Sequence, residues 1–271
     1  FHNHATAFLM AELFELHDRE RFEVYAYSFG VKRDEQMRPR LERSFDHFFV
    51  VADLPDREIA ELIRAAEIDI AVDLKGFTLH CRPSILAHRP APVQVNYLGY
   101  PGTMGAPYID YILADPVVIP PGHEQYYAEK VVRLPDSYQV NDRHRTIAPT
   151  QYTRTQLGLP EDGFVFCCFN NNYKITPDVF DVWMRLLLAV PRSVLWLLAD
   201  NEEVPVNLRR EAEARGVSAD RIVFAPRMPL PEHLARHRRA GRVGGRGEQQ
   251  AVEPFPFVGC FDIGGGEPPA G

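Results

Sequence analysis

The 271-residue chain lacks several features that would assign a function at once. It has four cysteines, Cys81, Cys167, Cys168 and Cys260, and they show no paired metal-site spacing. Cys167-Cys168 lies inside an apolar run, so the expectation is free thiols in a reducing, cytoplasmic compartment rather than a disulfide framework. No stretch approaches the ~18 apolar residues of a membrane span, so no membrane partner is expected. The opening Phe1-His2-Asn3-His4 has neither the basic start nor the apolar core of a signal peptide. There is no initiator Met, and the chain reads as a piece of something longer. An excess of basic charge is also missing. With 30 Lys and Arg against 37 Asp and Glu, the net charge is −7, which argues against a broad nucleic-acid surface. A GxGxxG fingerprint is absent, which argues against a dinucleotide-binding Rossmann domain. No cofactor and no metal are expected.

What is present is the pattern of a globular α/β protein. The 45% hydrophobic content is that of a packed chain, and the length suffices for two domains. His4 to Leu16 reads as a helix packed on a broad face, and Phe22 to Ser28 as a strand. A polar helix ends at Leu41–Phe45, a short strand covers Phe48–Val51, and Asp56–Ala66 is a helix. Ile68–Leu74 reads as a buried strand interrupted by Asp69 and Asp73, whose carboxylates would need partners; Lys75 is near enough to be one. A short helix over Cys81–His88 and strands at Val93–Leu98, Tyr108–Ala114 and Val131–Leu134 complete residues 1–136. Strands alternating with helices predict a mostly parallel sheet covered on both faces.

Residues 137–150 are polar, lack apolar periodicity, and read as an interdomain linker. A second alternating series follows over 151–240: strand Phe164–Phe169, helix 177–190, strand Val194–Leu198, helix 205–215, strand Ile222–Phe224 and helix Glu232–Arg239. That is about half of another α/β domain. Residues 241–271 hold nine of the 18 glycines and no Leu, Lys or Tyr. They read as an aberrant or disordered tail, through a shifted frame or a sequencing error.

The stretch Phe164–Pro177, FVFCCFNNNYKITP, organises the second series. An apolar strand runs into Asn170-Asn171-Asn172-Tyr173-Lys174. Thr176 and Pro177 then open a helix, the first as a cap and the second as a residue whose missing N–H costs nothing there. That helix is expected to bury Val179, Val182, Trp183, Leu186, Leu187 and Val190. Ligands of open α/β sheets bind beyond the carboxyl ends of strands, where a helix N-terminus favours anions. Three amides and an ammonium suit a phosphate and a hydroxyl-rich ligand; a solvated turn is the plain alternative. Leu98-Gly99-Tyr100-Pro101-Gly102 also follows a strand. Its glycines would let backbone approach a ligand, or simply make a turn. His4 opens the first helix, and His233 lies in the first turn of the last one.

Together Phe1-His2-Asn3-His4, Arg89-Pro90-Ala91-Pro92-Val93-Gln94, Leu98-Gly99-Tyr100-Pro101-Gly102-Thr103, Phe169-Asn170-Asn171-Asn172-Tyr173-Lys174-Ile175 and Ser193-Val194-Leu195-Trp196-Leu197-Leu198 resemble the catalytic region of protein O-GlcNAc transferases, bacterial members in particular. The resemblance covers roughly residues 1–240. It implies a GT-B architecture of two Rossmann-like domains with parallel sheets, the second incomplete here, and UDP-GlcNAc as donor substrate. It further implies inverting, metal-independent transfer of N-acetylglucosamine to Ser or Thr of an acceptor protein or peptide, and tetratricopeptide repeats upstream. Related enzymes that glucosylate Asn, and an inactive fragment, are the alternatives.

Carried over residue by residue, Lys174 matches the lysine on the nucleotide diphosphate, and His4 the active-site histidine. Gly99 matches a sugar-side contact, and His233 and Arg236 stand near the uracil. Asn170 and Asn171 belong to the donor loop, with Asn171 where some members have Gln. Leu230 replaces a lysine found in some members. An aspartate that would precede Phe1 and a His-Thr-Thr diphosphate cradle after Arg239 are not in the chain.

Overall fold

In the computed structural model, residues 4–30 and 37–240 are described. The tail expected at 241–271 lies outside them. The described chain divides at His144 into two compact units.

The first unit opens on α1, Ala5–Glu15, and a parallel pair of strands, β1 (Tyr25–Ser28) and β2 (His47–Val50). Between them runs α2, Arg38–Arg43. The helix α3, Asp56–Ala65, buries Ile59, Ala60 and Ile63, the i, i+1, i+4 stripe of an amphipathic helix. A four-stranded sheet follows: β3 (Ile70–Asp73), β4 (Val93–Tyr97), β5 (Tyr111–Ala114) and β6 (Lys130–Arg133), all parallel and in that spatial order. The short α4, Ser84–Ala87, lies in the β3–β4 connection. The core of α1 (Leu9, Met10, Ala11 and Phe14) meets Tyr97 and Leu98 at the end of the central strand β4.

One expectation for this unit fails. The strand around Ile70 is not buried: β3 is the edge of its sheet, with Ile70 57% and Val72 48% exposed. Asp69 is exposed. Asp73 takes backbone rather than side-chain partners, accepting from the N–H groups of Lys75 (2.9 Å) and Gly76 (3.2 Å). The apolar composition of β3 was legible, but its edge position was not.

The second unit holds β7 (Val165–Cys168), β8 (Val194–Leu198) and β9 (Ile222–Ala225), parallel and in sequence order. Every residue of the central β8, VLWLL, is buried, as a parallel strand covered on both faces requires. Between strands run α5 (Pro177–Ala189) and α6 (Glu203–Glu213), and α7 (Leu230–Arg236) follows β9. Thr176 caps α5, its hydroxyl accepting from the Val179 N–H at 3.4 Å, an interaction of about 1 kcal/mol at most. Arg221 fastens α5 and β8 together, donating to the carbonyls of Leu187, Val190 and Ser193.

The buried face of α5 differs from the expected one. Phe180, Met184 and Leu187 are buried, whereas Val179, Val182 and Leu186 are about 40% exposed. The helix is apolar on most of its circumference, so periodicity alone could not say which stripe meets the sheet.

Residues 137–150 are tied into the units on either side of His144. Tyr97 donates to the Tyr138 carbonyl, Arg40 to the Asp142 carboxylate, and Arg143 to Glu12. Beyond it, the Ala148 N–H donates to Pro231, and Thr150 and Tyr152 donate to Glu232. Its polar side chains are structural partners, which explains why no apolar period marks it.

Candidate functional site

In a parallel sheet the strands all end on one side, and the loops there receive ligands. In the second unit three such loops converge. The β7 loop places Asn170 and Asn171 just past the strand, then closes a turn of 3-10 helix, Asn172–Lys174. The Asn172 N–H donates to Asp200, beyond β8, at 3.2 Å, and its side-chain amide donates to the Leu198 carbonyl at 3.0 Å. Arg227, two residues past β9, donates from Nη2 to Asn171 Oδ1 at 2.8 Å and to Asp200 Oδ1 at 2.7 Å. Lys174 is exposed at the end of the turn, with Nζ 5.9 Å from the ring centroid of Tyr173, itself 81% exposed.

Behind this surface lies a buried cationic and aromatic cluster. Arg236 is 1% exposed, with its guanidinium over Phe169 at 4.3 Å and Trp196 at 5.7 Å. Such stacking is the arrangement by which a guanidinium tolerates burial. It donates to the Pro226 carbonyl at 2.7 Å and approaches His233 Nδ1 at 2.6 Å. Because arginine can only donate, Nδ1 of His233 is the acceptor and the ring proton sits on Nε2. Desolvation first, then the charges of His237, Arg236 and Arg227, push the His233 pKa down to about 3, so the ring is neutral at ordinary pH. The Phe169 ring meets His233 edge-on at 5.1 Å. Arg236 therefore acts by fixing the tautomer and orientation of His233 rather than by presenting its own charge at the surface.

In the first unit Gly99 follows β4, and Leu98 before it has φ +68°. A Cβ on Gly99 would stand 2.1 Å from the Leu74 carbonyl oxygen, so only glycine fits where the β3 and β4 ends approach. His4 caps α1, with Nδ1 accepting from the Thr6 N–H at 3.3 Å. In that arrangement the neutral ring carries its proton on Nε2.

Of the residues singled out in the sequence, Asn170, Asn171 and Lys174 share one loop, and Asn171 and His233 are joined through Arg227 by a hydrogen bond and by charge. His4 and Gly99 belong to the other unit. Arg227 and Asp200 went unnoticed in the sequence. Their one signal is position: each falls just past an apolar strand of the same sheet. Among the described residues, Glu12, Asp142 and His144 bring possible metal-ligand atoms within 4.8 Å. Arg143 and Arg40 already neutralise those carboxylates, so the group is an ion-pair cluster rather than a cation site.

The model of glycosyl transferase family 41 matches residues 1–151 and 147–243. An Arabidopsis thaliana protein named "probable UDP-N-acetylglucosamine–peptide N-acetylglucosaminyltransferase SEC" is 38% identical over 241 residues, covering 87% of this chain and 25% of its own length. A Caenorhabditis elegans UDP-N-acetylglucosamine–peptide N-acetylglucosaminyltransferase is 26% identical, covering 89% of this chain and 31% of its own. A solved structure of a Thermobaculum terrenum O-GlcNAc transferase mutant superposes with a TM-score of 0.76 at 34% identity, over 88% of this chain and 45% of that one. The chain thus spans between a quarter and a third of the length of these two curated relatives.

Proposed function

The chain belongs to glycosyl transferase family 41, and on that premise we propose that it transfers N-acetylglucosamine from UDP-N-acetylglucosamine to Ser or Thr hydroxyls of proteins. The observation that carries the proposal is the convergence of Asn171, Lys174 and His233 beyond the carboxyl ends of β7–β9, on the side where α/β sheets take their ligands. The relatives named for this activity support the donor and acceptor classes.

Cleaving the sugar–phosphate bond develops positive charge on the sugar and negative charge on UDP. In this reading the Lys174 ammonium stabilises the departing diphosphate without a metal, and the acceptor oxygen attacks the opposite face of the sugar, inverting it. A preorganised donor of this kind supplies roughly 3–4 kcal/mol. His233, held neutral by burial, offers its Nε2–H toward the uridine side, with Arg236 as the residue that orients it. His4, at the position of the family's active-site histidine, orients the acceptor hydroxyl, and Gly99 lets the backbone come close to the sugar. The reading requires no cofactor, places the enzyme in the cytoplasm with its thiols free, and includes tetratricopeptide repeats upstream as the element presenting acceptor proteins.

Two measurements test it. Calorimetry with UDP should give saturable binding, and a labelled-donor assay on a Ser/Thr peptide should show incorporation from UDP-N-acetylglucosamine in preference to UDP-glucose. Preference for UDP-glucose with an Asn acceptor would redirect the activity; absence of UDP binding would end the proposal.

A further inference from the structure

Arg227 is held at the meeting point of the three strand-end loops by a carboxylate and an amide oxygen. Its Nη2 donates to Asn171 on the β7 loop and to Asp200 beyond β8. Its charge is close enough to help suppress protonation of His233 on α7. The side chain is half exposed, against one-fifth for Asp200. The carboxylate is thus the better covered of the pair, and the guanidinium faces outward beside Lys174's loop. An exposed ion pair made only for stability is worth little, so stability gives this arrangement scant reason. An acid next to a phosphate site would also repel the ligand unless a cation masked it. A guanidinium matches phosphate oxygens geometrically, with five N–H donors in a fixed plane.

We propose that Arg227 is a second anion-binding residue of the donor site, gripping the diphosphate of the nucleotide sugar together with Lys174, with Asp200 and Asn171 as the residues that aim it. The inference rests on the donor-site reading above and adds a residue to it. Asp200 acts as an orienting counter-charge, neutralised by Arg227 rather than bound to ligand.

The test is calorimetry on the full chain with UDP and with uridine, for wild type, Arg227→Ala, Arg227→Lys, Asp200→Asn and Lys174→Met. Loss of a charge-assisted contact should weaken UDP roughly tenfold to a hundredfold in Arg227→Ala. Uridine, which has no phosphate, should bind as in wild type. Arg227→Lys should keep part of the UDP affinity. Asp200→Asn keeps an oxygen to aim Arg227 and removes the repelling charge, so it should bind UDP more tightly than wild type. If Arg227 were only a structural partner of Asp200, both substitutions would weaken UDP alike, or UDP and uridine would weaken together; either result overturns the inference. UDP affinity unchanged in Arg227→Ala but lost in Lys174→Met would overturn it and leave the donor-site reading standing. No UDP binding by the wild type would overturn both.

Discussion

The strand-end loops that follow β4 in the first unit and β7 in the second are built in opposite ways. After β4 the loop is built from backbone packing: Gly99 sits where a single added carbon would strike the Leu74 carbonyl, and Tyr100 packs so close to Gly76, after β3, that a Cβ there, at φ +53°, would have no room. After β7 the loop is built from side chains: Asn171, Asn172 and Lys174, braced by Arg227 and Asp200. Sheets of the same parallel kind end in one case in close packing and in the other in exposed charge. The first arrangement fixes shape and should fail through the fold. The second fixes electrostatics and should fail through binding and chemistry.

That contrast can be broken at its strongest point by Lys174→Met, which keeps length and removes charge. The expected result is a fall in kcat of roughly 10²–10³ with UDP affinity reduced. The unfolding midpoint should stay at the wild-type value, because Lys174 is exposed and outside the core. Near-normal transfer with unchanged UDP affinity would remove the β7 loop from the donor site.

Gly99→Ala is the matching experiment in the first unit and should have the next largest effect. The contact is with backbone, which cannot swing aside, so overpacking should cost roughly 1–3 kcal/mol. Denaturant unfolding would measure it. A Gly99→Ala protein as stable as wild type would show that the β3–β4 junction is looser than its 2.1 Å clearance indicates.

The smallest effect, nil near neutrality, concerns acid. Burial lowers the pKa of His233 to about 3 and also depresses that of His237, so the unfolded chain binds protons that the folded second unit refuses. Stability from these groups is full above the ordinary 6.5 and is lost progressively as pH falls toward 3. In the first unit the hydrogen bonds and charge of Arg143 hold Glu12 down at about 2. Its contribution is full above 4.5 and is lost only between there and 2. The second unit should therefore begin to lose stability at the higher pH. Unfolding midpoints measured across pH, with His233→Gln reducing the slope above pH 4.5 and Glu12→Gln that below it, would separate the two. Identical profiles for both variants would erase the distinction.

The sequence by itself determined the alternation of helix and strand, because apolar spacing differs between the two and turn residues mark the joints. It located the two loops that follow β4 and β7, since a glycine cluster or an amide-and-lysine run after an apolar strand is local information. Only the tertiary structure decided which face of each element is inside. Val179 and Val182 on α5, and Ile70 and Val72 on β3, are as apolar as their buried neighbours, and exposure depends on where the next element lies. It also buried Arg236 as a brace for His233, and brought Arg227, 56 residues away, onto Asn171. Side-chain periodicity carries no record of such meetings. They follow from parallel pairing, which gathers the ends of β7, β8 and β9 in one place however far apart they stand in the chain.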